Sequence, residues 1–203
     1  GGSSNFAGTM QLGGATASDS AANGKLIISD GVLSISSYVL NGSYGTGIIE
    51  ISGGSFNADA LNMAYMTGSG SFSLSGTGTV NLSEYMGVCR AGTGTLDVSG
   101  GVLNADRFLI AQETGSVGTA TLSGGEMNFE NFVLIGRDGQ ATLAIQGDAG
   151  KFRCDRLTLN PLSTIEFVLN GSAGVGAGIE VYGGDANLEG LIDASFSGSA
   201  VGG

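Results

Sequence analysis

The chain has 203 residues, including 39 glycines, and its formal net charge at pH 7 is −11. This acidic charge, with only seven scattered basic residues, disfavours binding to nucleic acids. No apolar run approaches the roughly 20 residues of a membrane-spanning helix, so membrane insertion is not expected. Hydrophobic residues make up 41% of the chain, too many for a disordered Gly/Ser linker. The frequent glycines therefore predict many turns between many short strands.

A short motif recurs every 23 or 24 residues. In each copy a polar residue follows an alternating apolar segment and precedes a glycine-containing corner. The six anchoring residues are Ser29, Ser52, Ser75, Ser99, Ser123 and Gln146. A period this regular predicts a solenoid in which each unit forms one coil.

Each unit contains three short segments of alternating apolar and polar residues. In the unit around Ser99 the first segment has Leu96 and Val98 at its core positions, and the third has Phe108 and Ile110. Three short strands per coil predict an all-β fold, the parallel β-helix or β-solenoid, with about 23–24 residues per coil. The right-handed form is expected because parallel crossovers are nearly always right-handed. Helices are expected to be almost absent.

Along its length the chain divides into three parts. Residues 1–23 are rich in Gly, Ala and Ser and form either an N-terminal arm or a degenerate first coil. Residues 24–160 form the regular coils. Residues 161–203, beginning at Pro161, are interpreted as irregular closing coils and a flexible C-terminal tail.

The second strand of each coil carries a recurring outward polar residue. Four successive coils place an asparagine there: Asn57, Asn81, Asn104 and Asn128. Side-chain amides in register predict a polar ladder in which each amide donates a hydrogen bond to the next coil. The functional alternative is a polar face that binds a ligand.

The outward column predicted for the third strand is unexpectedly apolar. Four of its six positions are Val39, Met86, Leu109 and Val133. We predict that these side chains form an exposed stripe that contacts a partner, a neighbouring subunit or the chain's own N-terminal segment. The alternative is that the facing of this short strand is misassigned.

Candidate catalytic and metal-binding residues are few. The chain has no histidine, so triad and metal chemistry lack their commonest residue, and no enzymatic activity is expected. Acidic residues recur at one corner of the coil, where a calcium ion is an alternative to ion pairing with neighbouring arginines. These acidic residues are Asp59, Asp106, Glu130 and Asp155. We expect no cofactor, with calcium as the less favoured alternative.

The two cysteines, Cys89 and Cys154, are predicted to remain unpaired. The repeat places them three coils apart, about 14 Å along the axis. A disulfide tolerates a Cα separation of under about 7 Å.

Two consecutive runs carry a resemblance to a known class of proteins. Residues 92–111, GTGTLDVSGGVLNADRFLIA, and residues 118–136, GTATLSGGEMNFENFVLIG, resemble the repeats of autotransporter passenger regions and of PEP-CTERM-associated exported bacterial proteins. Residues 165–196 are similar to the closing segment of those regions. The resemblance covers about residues 24–196 and implies an exported β-solenoid with a surface, adhesive or fibrous role.

Neither terminus shows an amphipathic segment that would cap the solenoid. This predicts a structural subunit of an extracellular bacterial fibre or surface layer, a homopolymer built by head-to-tail stacking. The alternative is a monomeric surface adhesin, or autotransporter-like passenger domain, that binds glycan or matrix. A polysaccharide-acting β-helix enzyme is the least favoured reading. We expect an exported protein at the cell surface or outside the cell, with any export signal already removed.

Overall fold

The computed structural model of the protein describes residues 2–170 and 178–197. Two predicted features lie outside these ranges: the C-terminal tail, residues 198–203, and residues 171–177 of the closing region. The described residues form 17 β-strands and one short 3-10 turn at Ala17–Asp19. Successive coils pair in parallel, which confirms the predicted β-solenoid. In these ranges no helix is long and apolar enough to cross a membrane.

The strands lie on three faces, which we call A, B and C in the order in which each predicted repeat unit reaches them. Face A is formed by β3 (Asn23–Ile28), β6 (Thr46–Ile51), β8 (Ser69–Leu74), the first parts of β10 (Thr93–Ile110) and β11 (Val117–Ile135), β12 (Gln140–Gln146), β14 (Ser163–Asn170) and β17 (Leu191–Ser197). Face B is formed by β1 (Ser3–Phe6), β4 (Val32–Ile35), the first parts of β7 (Ser55–Met63) and β9 (Thr79–Val88), the middle of β10 and β11, the first part of β13 (Lys151–Leu159), and β15 (Gly178–Val181). Face C is formed by β2 (Met10–Leu12), β5 (Tyr38–Asn41), the last parts of β7, β9, β10, β11 and β13, and β16 (Ala186–Leu188).

The core lies inside the three faces and follows the predicted columns on faces A and B. Phe72 and Leu96 are buried on face A, and Phe56 and Leu103 are buried on face B. Alternate residues of each strand point inward, so each coil contributes to one continuous apolar core. Burial of each large side chain stabilises the fold by about 1.5–3 kcal/mol.

Residues with positive φ turn the chain at two of the three corners. Between faces A and B, six successive corners, from the one between β3 and β4 to the one between β12 and β13, each have a glycine with φ between 57° and 81°. These glycines are Gly31, Gly54, Gly76, Gly101, Gly125 and Gly147. Between faces C and A the corresponding residues are Gly13, Gly42, Ala64, Cys89, Ala111 and Gly136, with φ between 44° and 76°. Glycine adopts this left-handed conformation without steric cost, which explains its frequency at the corners.

A second glycine column was not predicted from the sequence. In five coils the second residue of the face A strand is a glycine. These residues are Gly24, Gly47, Gly70, Gly94 and Gly118. A Cβ on Gly94 would lie 2.8 Å from the backbone nitrogen of Cys89, so the strand passes directly against the preceding corner. The glycine column therefore permits the close approach between face A and that corner.

The predicted exposed stripe on face C is wrong for three of its four members. Val39, Met86 and Val133 are fully buried, and only Leu109 points outward, where it is half-buried. The physical reason is the corner between faces B and C, which holds three residues in one coil and two in the next. Three residues separate Leu82 from Met86, whereas two separate Ala105 from Phe108. A one-residue difference moves a strand's side chains to its opposite face.

The N-terminal residues belong to the stack. Strand β1 pairs in parallel with β4, from Ser3↔Val32 to Phe6↔Ile35. Strand β2 pairs with β5, from Met10↔Val39 to Leu12↔Asn41. Residues 3–12 therefore form the first rung of faces B and C, instead of covering the side of the solenoid.

Candidate functional site

The first coil leaves the N-terminal end of the core open. Within the described ranges, β1, β2 and β3 each pair with a strand on one side only. Their inward side chains include Phe6, which is 45% exposed, and Leu12 and Leu26, which are half-buried. This end, which we call the N end, presents apolar side chains framed by unpaired strand edges.

The last described coil leaves a similar surface at the opposite end. Strands β15, β16 and β17 pair on one side only, with β13 and β14, as far as the described residues show. Their inward side chains include Val181, which is half-buried, Leu188, which is 45% exposed, and Ile192, which is 48% exposed. We call this surface the C end.

The two ends have matching registers. The pairings that connect successive coils place Ile192 in the same column as Leu26 on face A. The corresponding pairings on face B place Val181 in the column of Phe6. On face C, Leu188 shares its column with Leu12. A second copy that continued the stack would therefore bring apolar side chain onto apolar side chain on all three faces.

The asparagines of face B form a continuous hydrogen-bonded ladder. The Nδ2 of Asn81 donates to Oδ1 of Asn57 at 3.0 Å, Asn104 donates to Asn81 at 3.0 Å, and Asn128 donates to Asn104 at 3.1 Å. Asn57 in turn donates to the hydroxyl of Ser34 at 3.2 Å. Each amide satisfies its neighbour, so the ladder has a structural role in holding successive coils in register.

The acidic corner is occupied by ion pairs and hydrogen bonds. Arg107 Nε lies 3.0 Å from Asp106 Oδ2, and the Ser83 hydroxyl donates to Asp59 Oδ1 at 3.2 Å. Among the residues that the structure describes, no group of three or more His, Cys, Asp or Glu side chains is arranged to hold a metal ion. The calcium alternative therefore gains no supporting geometry.

Both cysteines are free and buried, which confirms the prediction that they form no disulfide. Burial raises the pKa of the Cys89 thiol. Burial, followed by the carboxylate of Asp155, raises the pKa of Cys154 to about 11. Neither thiol forms an exposed thiolate at neutral pH, so neither has the properties of a nucleophile.

Three tyrosines lie together along face C, an arrangement that the sequence did not reveal. Tyr38 is 41% exposed and Tyr85 is half-buried. Tyr65 follows the left-handed residue Ala64 at the corner between faces C and A. The one-residue extension of the corner before Val39 and Met86 turns Tyr38 and Tyr85 outward.

Compared with protein-family models, curated proteins and solved structures, the chain matches none. The features of the chain that bear on its function are the solenoid itself, its two ends and its side surfaces. The β-solenoid fold is consistent with a structural or adhesin-like repeat protein.

Proposed function

We propose that the protein is a structural subunit of an extracellular bacterial fibre or surface layer, which assembles by head-to-tail stacking of its solenoids. The observation that carries this proposal is the matched register of the N end and the C end. Both ends present three short parallel strands around an apolar centre, in the same arrangement. The extracellular bacterial setting rests on the resemblance of residues 92–136 to exported repeats and on the low content of charged residues, 12%.

Stacking would satisfy the groups that each end leaves open. Unpaired N–H and C=O groups of β1, β2 and β3 would pair with those of β15, β16 and β17 of the next copy. Leu26 would pack on Ile192, Phe6 on Val181, and Leu12 on Leu188. Each contact repeats one already present between adjacent coils inside the chain, so no new interface geometry is required.

The contact joins two different surfaces and is therefore heterologous. A heterologous contact whose geometry does not close into a ring generates an open filament. Face A contains eight successive strands, and at about 4.8 Å per rung each subunit would add roughly 38 Å of length. A fibre with this axial repeat and a cross-β spacing near 4.8 Å is the expected product.

The decisive experiment blocks one end at a time. Phe6→Lys charges the N end and Leu188→Lys charges the C end, whereas Val117→Lys places the same charge in the middle of the stack. These three side chains have similar exposed fractions, 45%, 45% and 43%, so Val117→Lys is a matched control. Wild type and Val117→Lys should form filaments in negative-stain electron microscopy, and each end variant alone should stay monomeric in analytical ultracentrifugation.

Mixing the two end variants tests the direction of assembly. Phe6→Lys retains an intact C end and Leu188→Lys retains an intact N end, so an equimolar mixture should form dimers and stop there. Monodisperse wild-type monomer at high concentration would overturn the proposal. Filaments from either end variant alone would also overturn it, because they would require another contact surface.

A further inference from the structure

A groove lined by polar and aromatic side chains runs along face C on the side of the solenoid, beginning at Thr9 in the first coil. Two adjoining cavities, of about 370 Å³ and 400 Å³, share Asn62, Tyr65 and Tyr85 in their linings. The first extends to Tyr38, and the second extends to Arg137. From Tyr38 to Arg137 the groove passes five successive coils, or roughly 19 Å along the solenoid axis.

Two amides that line the groove, those of Asn62 and Gln112, flank a notch left by the missing side chain of Gly87. Gly87 lies in the outward column of face C, directly beside Asn62 in the preceding coil. A Cβ on Gly87 would lie 2.9 Å from Oδ1 of Asn62 and 3.2 Å from Nε2 of Gln112. A hydrogen-bond acceptor and a hydrogen-bond donor therefore border the same small space.

Both amides are fixed in place but unused on the side of the notch. Asn62 is 3% exposed, and its Nδ2 donates to the Tyr85 hydroxyl at 2.8 Å, which orients Oδ1 toward Gly87. The Nε2 of Gln112 is buried and has no hydrogen-bond partner within the described residues. A buried donor without a partner costs free energy, and a bound hydroxyl group would remove this cost. A hydroxyl can accept from Gln112 and donate to Asn62 at the same time.

The charges of the groove cancel. Arg90 Nε lies 2.7 Å from Glu113 Oε1, and Arg137 Nε lies 3.6 Å from Asp138 Oδ2. Each guanidinium has a carboxylate beside it, so the groove offers no excess of either sign in a chain whose net charge is −11. A strongly anionic ligand would meet no compensating charge here, whereas a neutral polar ligand needs none.

The tyrosines supply flat apolar surface beside these polar groups. Tyr85 and Tyr65 lie at the two corners that border face C, and the Arg90 guanidinium covers the Tyr65 ring at 4.4 Å from its centroid. The Arg90 contact holds one ring, and the hydrogen bond from Asn62 holds the other. Rigid aromatic rings with polar ends bind amphipathic ligands at a low cost in conformational entropy.

We propose that this groove binds a neutral oligosaccharide, whose chain lies along the solenoid axis and places a hydroxyl group against the amides of Asn62 and Gln112 beside Gly87. Sugar rings present apolar C–H faces to the tyrosines and hydroxyl groups to the amides. A neutral sugar chain needs no counter-charge, in agreement with the paired Arg90 and Arg137. The groove lies on the side of the solenoid, so this binding is independent of head-to-tail stacking.

The test measures binding of defined hexasaccharides by isothermal titration calorimetry and by NMR shifts of backbone amides. The neutral probes are the hexamers of cellulose, xylan, mannan and chitin, and the anionic comparison is hexagalacturonate. At least one neutral hexamer should bind and shift amides around Gly87, and it should bind more tightly than hexagalacturonate. Absence of binding by all four neutral hexamers, or preference for the anionic hexamer, would overturn the proposal.

Two groove variants with matched controls locate the site. Gly87→Ala fills the notch, and Tyr65→Leu removes an aromatic ring; each should weaken binding by about tenfold or more. Gly178→Ala, where an added Cβ meets nothing within 4 Å, and Tyr182→Leu, at a tyrosine 56% exposed outside the groove, should leave affinity unchanged. An unchanged melting temperature in Gly87→Ala identifies the loss as a loss of contact. If Gly87→Ala unfolds, Tyr65→Leu alone decides, and unchanged affinity in that variant rejects the site.

Discussion

The rings of Phe108 and Phe129 stack in adjacent coils, with centroids 4.7 Å apart and planes inclined by only 6°. Phe152 continues the cluster in the next coil, with its centroid 5.3 Å from that of Phe129. Both rings of the stack are fully buried, at 0% and 1% exposure. This aromatic cluster lies within the core and crosses from face C to face B.

Phe108→Ala should destabilise the protein by about 3–5 kcal/mol, because it removes a buried ring and leaves a cavity that rigid coils cannot fill. Urea unfolding followed by circular dichroism measures the change in the free energy of unfolding. Leu162→Ala, at a side chain 66% exposed, is the control and should change it by less than about 0.5 kcal/mol. Equal effects of the two substitutions would contradict the core assignment.

Asn104→Ala interrupts the middle of the asparagine ladder. The substitution removes the acceptor of Asn128 and the donor to Asn81, so two amides lose a partner at once. Because the ladder is partly exposed, water replaces part of the loss, and we expect a destabilisation of about 1–2 kcal/mol. Ser73→Ala, at an outward position of face A, is a suitable control in the same urea experiment. A ladder without structural importance would give the same small change in both variants.

Gly94→Ala tests the glycine column. The new methyl group would lie 2.8 Å from the backbone nitrogen of Cys89 and 2.9 Å from its Cβ, so the corner or the strand must move. Overpacking of this kind costs about 1–3 kcal/mol, and here the obstacle is backbone, which yields least. Thermal melts of Gly94→Ala and of the open-site variant Gly178→Ala provide the comparison. A melting temperature of Gly94→Ala equal to that of the wild type would show that the close approach is not required.

The Cys154 thiol makes stability depend on pH above neutrality. Burial and the carboxylate of Asp155 raise its pKa from 9.0 to about 11 in the folded state. The neutral thiol therefore stabilises the fold fully below pH 9, and this contribution is lost as the pH rises to about 11. Cys154→Ala removes the titrating group, so its free energy of unfolding should fall less steeply between pH 9 and 11. Urea unfolding of both proteins at intervals of one pH unit measures the difference, and parallel pH profiles would refute the assignment.

The sequence alone was sufficient for faces A and B. The anchors from Ser29 to Gln146 recur at 23 or 24 residues and lie at the corner between faces A and B. The strand before each anchor keeps a constant distance from it, and the strand after it shifts by at most two residues. Phe72 on face A and Phe56 on face B are buried where the repeat places them. The asparagine positions of the ladder also follow from the anchors, because Asn57, Asn104 and Asn128 lie five residues after their anchors and Asn81 lies six residues after Ser75.

Face C could not be assigned in the same way. The corner between faces B and C alternates between three residues and two. The repeat length of 23 or 24 residues does not show this alternation, because the other corners also vary in length. Met86 was therefore assigned outward, whereas in the structure it is buried and the preceding residue, Tyr85, is the one that points outward. The hydrophobicity of the residues did not reveal that this strand faced the wrong way, since valine, methionine and tyrosine can lie on either the inward or the outward side of a strand.

The repeat length and the inward columns of faces A and B were thus determined by the sequence itself, because hydrophobic burial imposes a period of two along each strand. The side surfaces and the two ends were decided only by the tertiary structure. Gly87 becomes a neighbour of Asn62 only when the chain returns one coil later, and Leu26 shares a column with Ile192 only through all the pairings between them. Parallel pairing between coils sets these contacts, and a one-residue change at a corner is enough to reassign them.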